Sequence, residues 1–289
     1  MTSPQVRSQL DENILRLIAQ SILDENEIVT PPTPVQDLLD HYELTWRSFN
    51  FSQIVGSGAR QDGAKLDKHP RLLALLDASN RNIYVHSSLS EERLRFCLLH
   101  EIAHFIMNGG AFVGCSETDL LEGCEQEIAA NRLASYLLFQ LDGFILSASS
   151  YRLGLQAVVG LAKNYRASLE ATGRYYVETR REPCSLLIGT ITGITDESRP
   201  GSDSRRIVIK HAYSSGTFPG DPLRGIRIGS ALSKELLQRQ QPAVSGLRIP
   251  VSRCERPTRA RSRALVSYVS CRAEVLVASS RVVLFVTPE

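Results

Sequence analysis

The residues best suited to chemistry form one short motif, His100-Glu101-Ile102-Ala103-His104, an HExxH pattern inside a run that we expect to be helical. In a helix, positions i and i+4 lie one above the other on the same face, so both imidazoles can reach one metal ion. Glu101 lies one residue further round, where it can accept a proton from a water molecule on that ion. This spacing favours Zn²⁺ and indicates hydrolysis of an amide bond.

The setting of the motif decides between a metal site and a surface helix that happens to carry two histidines. Residues 94–107 are apolar nearly all round, as in a core helix. The sequence Ser88-Leu89-Ser90-Glu91 has the pattern of a capping box before this run, and Gly109-Gly110 suits its end. Two histidines and a glutamate buried there without partners would be costly, and a metal ion would offset that cost.

A tetrahedral catalytic zinc needs a third protein ligand. Glu127 is the best candidate, because it lies 23 residues after His104 and opens a second apolar helix that can pack against the first. Glu122 and Glu125 precede or begin that helix, where they fit a role next to the positive end of its dipole. His86 could also be a ligand, but it ends an extended segment, and a histidine there is more often only an edge residue of a strand.

Other residues close to these ligands are candidates for supporting roles. Cys97 lies three residues before His100, so it could approach the metal or modulate it on oxidation; a buried structural thiol is the alternative. Asn131 lies one helical turn after Glu127 and is a candidate to orient that ligand. The residue that stabilises the oxyanion is not identified, and Tyr136 is one candidate.

These motifs resemble the ImmA/IrrE family of bacterial metallopeptidases. The resemblance covers residues 82–88, 92–96 and 100–105, and then a helix of the family's form ExxANxxAxxLL. The matching positions are Glu127, Ala130, Asn131, Ala134, Leu137 and Leu138. The resemblance selects Glu127 as the third ligand independently of the argument from helix packing. Cys97 stands where the family often has a small hydroxyl residue, and Leu138-Phe139-Gln140 replaces its common Leu-Met-Pro, but neither departure removes a ligand.

The resemblance implies a cytoplasmic zinc peptidase whose partner is a protein substrate. That substrate is a helix-turn-helix transcriptional repressor, and its cleavage releases genes of a stress response or of mobile elements. Mn²⁺ is a second metal that a His/His/Glu site with an open position can hold. Longer IrrE-like members add a helical segment and then a GAF-like sensor domain, and this chain has the length and order for that layout.

The composition is that of a globular protein with room for two domains. The chain has 289 residues, 43% of them hydrophobic. No stretch approaches 18 consecutive apolar residues, so we expect no membrane partner. Residues 1–9 lack the pattern of a secretory signal. The 6 cysteines show no CxxC spacing and are expected to be reduced thiols.

The charge is distributed unevenly along the chain. Residues 1–146 carry 11 basic and 20 acidic side chains, a balance of −9, whereas residues 147–289 carry 22 basic and 11 acidic ones, a balance of +11. This split indicates two functional parts and raises the hypothesis that the basic half contacts DNA. A solvated basic surface and an attraction between the two halves are the competing explanations.

We therefore predict an α+β chain in three parts. Residues 1–146 form a mainly helical, zincin-like metallopeptidase domain with a small sheet, residues 147–182 a helical segment resembling a helix-turn-helix, and residues 183–289 a β-rich, GAF-like domain. The predicted helices are 9–28, 35–42, 127–138, 154–165, 169–181 and 231–238. The predicted strands are 44–49, 72–77, 81–85, 186–191, 206–210, 247–251, 265–271, 275–278 and 282–286.

Two functions from different classes fit these features. The first is a zinc-dependent endopeptidase in which Glu101 is the catalytic base. The second is a DNA-binding transcriptional regulator with a structural or vestigial zinc site; the charge split, the helical segment and the arginine-rich stretch 253–263 favour it. In the helical segment, Arg174, Tyr175, Tyr176, Arg180 and Arg181 either meet phosphates or pack within the protein. The intact Glu101 favours the enzyme, because a structural zinc site has no need of that carboxylate.

Overall fold

The computed structural model describes residues 4–49, 72–108, 113–116, 125–192, 206–222, 227–228, 243–252, 266–278 and 280–289. The chain divides into two compact units. The first comprises Met1–Ser147 and Lys163–Ser168, and the second comprises Ala148–Ala162 and Leu169–Glu289. Residues of the predicted helical segment 147–182 thus fall in both units. Both helices and sheets are present, which confirms the predicted α+β class.

The first unit combines helices with a four-stranded sheet. Its strands are β1 (Thr45–Phe49), β2 (Leu72–Asp77), β3 (Asn82–His86) and β4 (Val113–Ser116), in the spatial order β1-β3-β2-β4. Strands β1 and β3 are parallel, and the other pairs are antiparallel. The helices are α1 (Pro4–Glu25), α2 (Val35–His41), α3 (Glu91–Asn108), α4 (Glu125–Phe139) and α5 (Asp142–Ser149), the last of which runs into the second unit.

Helix α3 carries the HExxH motif and begins two residues later than the capping-box pattern predicts. Its cap is Ser90, whose Oγ accepts a long hydrogen bond from the backbone N–H of Arg93 at 3.5 Å. The hydroxyl of Ser88 instead lies 2.8 Å from Nδ1 of His86, so the prediction of Ser88 as the cap was wrong. The middle of α3 is buried, as expected for the predicted core helix; its buried apolar residues are Cys97, Leu98, Leu99, Ile102 and Ala103.

Three aromatic rings anchor the end of α4 in the first unit. The ring centroid of Phe139 lies 5.1 Å from that of Phe144 and 5.8 Å from that of Tyr165. The rings of Phe144 and Tyr165 are 5.2 Å apart. All three side chains are buried, and large aromatic side chains in such contacts contribute strongly to a core.

The second unit is built on a seven-stranded antiparallel sheet, with the spatial order β7-β9-β10-β11-β5-β6-β8. Its strands are β5 (Ser185–Thr192), β6 (Arg206–Ser214), β7 (Asp221–Pro222), β8 (Arg227–Ile228), β9 (Ala243–Ser252), β10 (Val266–Ala278) and β11 (Arg281–Pro288). Helix α6 (Leu155–Tyr165) lies mostly in this unit, and α7 (Leu169–Thr179) lies wholly in it. One face of the sheet holds the apolar core, which includes Leu187, Ile209, Leu247, Cys271 and Leu284.

The other face of this sheet packs against α7. The ring centroids of Tyr176 and Phe285 are 5.9 Å apart. At Gly173 the approach is so close that a Cβ atom would lie 2.5 Å from Cδ2 of Leu186, which excludes any larger residue without repacking.

Of the five candidates for DNA contact, four on or directly after α7 contact the protein itself, whereas Arg181 is exposed. Tyr175 and Tyr176 are buried. Arg174 donates to Glu178 at 2.8 Å, and the guanidinium of Arg180 lies 5.1 Å from the centre of the Tyr176 ring. These contacts support the packing interpretation of this helix.

Several elements differ from the sequence predictions. Segments 265–271 and 275–278 form one long strand, β10, rather than two. Strand β4, helix α5 and the two-residue strands β7 and β8 were not predicted. The predicted helix 231–238 and the arginine-rich stretch 253–263 lie outside the described residues. Among the helices that the structure describes, none has the length and apolar character needed to cross a bilayer.

Candidate metal centre

Helices α3 and α4 bring three predicted ligands together. The Nε2 atoms of His100 and His104 are 3.0 Å apart. The carboxylate of Glu127, in the first turn of α4, places Oε2 3.2 Å from Nε2 of His100 and Oε1 3.2 Å from Nε2 of His104. All three residues are buried. Within the described residues, they form the group whose histidine and carboxylate atoms could hold a metal ion.

These separations fit a small tetrahedral ion. Two ligand atoms that each lie about 2.0–2.1 Å from such an ion are about 3.3 Å apart, close to the 3.0 and 3.2 Å observed here. The donor set of two imidazoles and one carboxylate is also one that catalytic zinc sites use. The residues therefore fit a divalent metal ion without rearrangement of either helix.

The pKa shifts of His104 and Glu127 suit metal binding. Burial, followed by the neighbouring charge of His100, lowers the pKa of His104. Burial would raise the pKa of Glu127, but hydrogen bonds from His100 and His104 and their charges outweigh it and lower that pKa. A neutral imidazole and an ionised carboxylate are the forms that bind a metal.

Glu101 is the most deeply buried carboxylate of the site. Its exposed fraction is 0%, and neither of its oxygens has a hydrogen-bond partner among the residues that the structure describes. Burial, and then the charge of Glu127, raises its pKa well above the usual value. A divalent cation on the adjacent ligands would oppose both effects, because it favours the ionised carboxylate.

The loop before α2 connects the two helices that carry the ligands. The hydroxyl of Thr33, wholly buried, donates to the backbone carbonyl of Leu137 in α4 at 2.7 Å and accepts from Nε2 of Gln140 at 3.1 Å. The guanidinium of Arg95 in α3 donates to the carbonyl of Thr33 at 2.7 Å. Sequence reasoning missed this connection, since no local pattern links positions that are 62 to 107 residues apart.

The residues predicted to support the ligands occupy different surroundings. Cys97 is buried, and burial followed by the charge of Glu101 raises the pKa of its thiol to about 12, so the environment does not favour a reactive thiolate. Asn131 is partly buried on α4, and its backbone carbonyl accepts from Ser135 at 2.8 Å. Its role in orienting Glu127 stays a prediction.

Tyr136, His86 and Glu125 lie outside the group of three ligands. Tyr136 follows Glu127 by nine residues, half a turn out of phase on the same helix, and its hydroxyl donates to Glu12 of α1 at 3.1 Å. Nδ1 of His86 accepts from the backbone N–H of Ser88 at 3.1 Å. Glu125 is exposed at the start of α4, and Glu122 lies outside the described residues.

The comparison with protein families covers this site. Residues 57–174 match the model of a peptidase family, the IrrE N-terminal-like domain. The predicted resemblance to the ImmA/IrrE family is thereby confirmed over a range that includes α3 and α4. The match supports a hydrolase of the metallopeptidase type, in accord with a buried group of residues that could hold a metal ion.

Two further comparisons add little. No curated protein matches the chain. Among solved structures, a Mycobacterium tuberculosis transcriptional regulator matches with a TM-score of 0.47 and 12% sequence identity, over 96% of this chain and 76% of that chain. A likeness at this level leaves the function to be argued from the site.

Proposed function

We propose that the protein is a zinc-dependent endopeptidase. The observation that carries this proposal is the convergence of His100, His104 and Glu127, three buried residues whose ligand atoms lie 3.0–3.2 Å apart within the range that matches the peptidase family. In this proposal those three residues hold Zn²⁺, with Mn²⁺ as the alternative. The zincin-like and GAF-like assignments and the cytoplasmic location stay predictions.

The chain's own residues divide the work between binding and proton transfer. A zinc ion at this position supplies Lewis acidity, which polarises the scissile carbonyl and acidifies a water molecule. Glu101 follows His100 directly, so its carboxylate is available to accept the proton of the attacking water and later to return it to the leaving amine. The buried surroundings of Glu101 exclude bulk water, which strengthens its interaction with charges that develop during the reaction.

The substrate that we propose is a helix-turn-helix transcriptional repressor. The support is the ImmA/IrrE resemblance, whose family implication is site-specific cleavage of such a repressor and release of the genes that it silences. Narrow specificity of this kind predicts little activity on generic substrates such as casein.

Co-expression with a candidate repressor tests the proposal. Wild-type protein, Glu101→Gln and the control Glu125→Gln are expressed beside the nearest encoded helix-turn-helix repressor, with zinc or manganese supplied. We expect a shortened repressor, detected by mass, with the wild type and with Glu125→Gln, whose substituted residue is exposed. Glu101→Gln should bind as much metal but yield no fragment. Equal cleavage by Glu101→Gln would exclude the proposed role of Glu101, and an intact repressor in all three would count against this substrate.

The alternative is a DNA-binding regulator with a structural or vestigial metal site. The balance of +11 over residues 147–289 favours it, whereas the internal contacts of α7 do not. The same Glu101→Gln variant separates the two functions. An unchanged regulatory output with this variant would support the DNA-binding protein, and loss of the output together with cleavage would support the peptidase.

A further inference from the structure

The second unit contains a cavity that the proposed peptidase does not use. Its volume is about 510 Å³, within the range of sites for small molecules. It lies between the segment that leads into α6 and the paired strands β10 and β11. The side chains that line it include polar and apolar ones, among them Arg152, Arg272, Glu274, Thr287, Leu153 and Phe285.

Two arginines and one glutamate, Glu274, line this cavity, so its lining carries a net positive charge. Arg152 lies in the segment before α6, and Arg272 lies on β10 opposite Thr287 of β11. Both are exposed. Among the residues that the structure describes, neither guanidinium has an ion-pair or hydrogen-bond partner. Guanidinium groups that converge on one cavity are suited to carboxylate and phosphate groups, which they bind through paired N–H donors.

The carboxylate in the lining, that of Glu274, accepts a hydrogen bond from the backbone. Oε2 of Glu274 accepts a hydrogen bond from the backbone N–H of Leu155 at 2.6 Å. The fit is tight, because a Cβ atom on Gly154 would lie 2.7 and 2.8 Å from the two oxygens of Glu274. One oxygen of this carboxylate is thus held against the backbone at the start of α6, and the part of the chain that the structure describes shows no ion pair between it and Arg152 or Arg272.

The wall of the cavity also offers apolar contact. Phe285 pairs with Glu274 across β11 and β10, so its ring lies on the same face of the sheet as the polar residues. Leu153 adds a second apolar group. The site therefore combines a cationic rim with an apolar surface.

We infer that this cavity binds a small organic anion, in which a carboxylate or phosphate head lies on Arg152 and Arg272 and an apolar body contacts Phe285 and Leu153. The excess of basic residues in the second half of the chain would attract such a ligand. The site lies in the second unit, whereas the metal ligands lie in the first, so the inference stands independently of the peptidase activity.

The test uses the full-length, zinc-loaded protein and two anionic probes. Phenyl phosphate and phenylacetate share an aromatic body and differ in the head group, and benzyl alcohol is the neutral control. Binding is measured by ligand-observed NMR titration, and thermal denaturation checks that each variant is folded. We expect at least one anionic probe to bind saturably, with a Kd below about 10 mM, as ligand efficiency allows for molecules of this size, and benzyl alcohol not to bind. The head group that binds identifies the source as a phosphate or a carboxylate.

Charge-neutralising variants locate the binding. Arg272→Gln and Arg152→Gln should each weaken it about tenfold or more, because a hydrogen bond between charged groups is lost. The matched control is Arg248→Gln on β9, which loses the same charge outside the cavity lining and should stay within about twofold. If Arg272→Gln proves unfolded, the affinity of Arg152→Gln for the probe decides whether the probe binds in this cavity.

Three results would overturn the inference. The first is no saturable binding of either anionic probe. The second is equal weakening by all three arginine variants, which would indicate general charge attraction. The third is binding that survives in Arg272→Gln and Arg152→Gln but disappears in His104→Ala, which would place the probe at the metal centre.

Discussion

The carboxylate of Glu127 should carry much of the protein's stabilisation by metal. Both of its oxygens lie 3.2 Å from a histidine Nε2, and its exposed fraction is 7%. Glu127→Gln keeps the size of the side chain but replaces an anionic ligand with a neutral amide. Glu125→Gln is the matched control, because it makes the same change two residues earlier on the same helix, at an exposed position.

The magnitude follows from binding linkage. A metal ion at about 100 times its Kd stabilises the folded protein by about 2.7 kcal/mol, which raises the Tm of a domain of this size by about 5–11 °C. If the Glu127 carboxylate contributes only as much as a hydrogen bond between charged groups, about 1.5–3 kcal/mol, its removal weakens binding about 10- to 150-fold. The same metal concentration then contributes only about 0.3–1.4 kcal/mol, so about half or more of the shift is lost.

The assay is thermal denaturation of each protein after treatment with a chelator, with and without added zinc or manganese. The wild type and Glu125→Gln should show the full increase in Tm, and Glu127→Gln should show half of it or less. A full increase in Glu127→Gln would refute the assignment of Glu127 as a ligand. An equally reduced increase in Tm in Glu125→Gln would refute the assignment as well, because metal binding would then depend on the net charge of α4.

Three other predictions concern stability and reactivity. Thr33→Val should lower the stability of the first unit by about 1–3 kcal/mol in chemical denaturation, because the carbonyl of Leu137 loses a buried donor; no change would mean that this hydrogen bond is replaceable. Phe144→Ala should lower the free energy of unfolding by about 3–5 kcal/mol in the same measurement, since it opens a cavity beside the rings of Phe139 and Tyr165. A loss below about 1 kcal/mol would contradict the close packing of these three rings. Burial raises the pKa of both Cys184 and Cys271 to about 11, so both thiols stay protonated in the native state at pH 8. Iodoacetamide should therefore modify them only after unfolding, which peptide mass mapping can detect. Rapid modification of the native protein would contradict their burial.

The pair of histidines was predictable because the geometry of a helix is the same in every turn. Positions four residues apart share one face of a helix whatever surrounds it, so the pairing of His100 with His104 required only the apolar run and its ends. The second helix was predictable for the same reason. The resemblance to the ImmA/IrrE family, confirmed for residues 57–174, rests on the same two segments. Most strands were recognised from their alternating or apolar runs, though the join between the two halves of β10 was not.

Spacing along the chain could nominate Glu127, but only the packing of α3 against α4 decides that its oxygens lie 3.2 Å from both imidazoles. The hydrogen bond from Thr33 to Leu137 and the engagement of Glu274 at Leu155 likewise join positions that are 104 and 119 residues apart. Motifs and periodicity report each residue's relation to its near neighbours, whereas such contacts depend on how separate elements pack and where loops lead the chain. The sequence by itself thus determined which residues are candidates for metal binding and on which helices they lie, and the tertiary structure decided which of them meet.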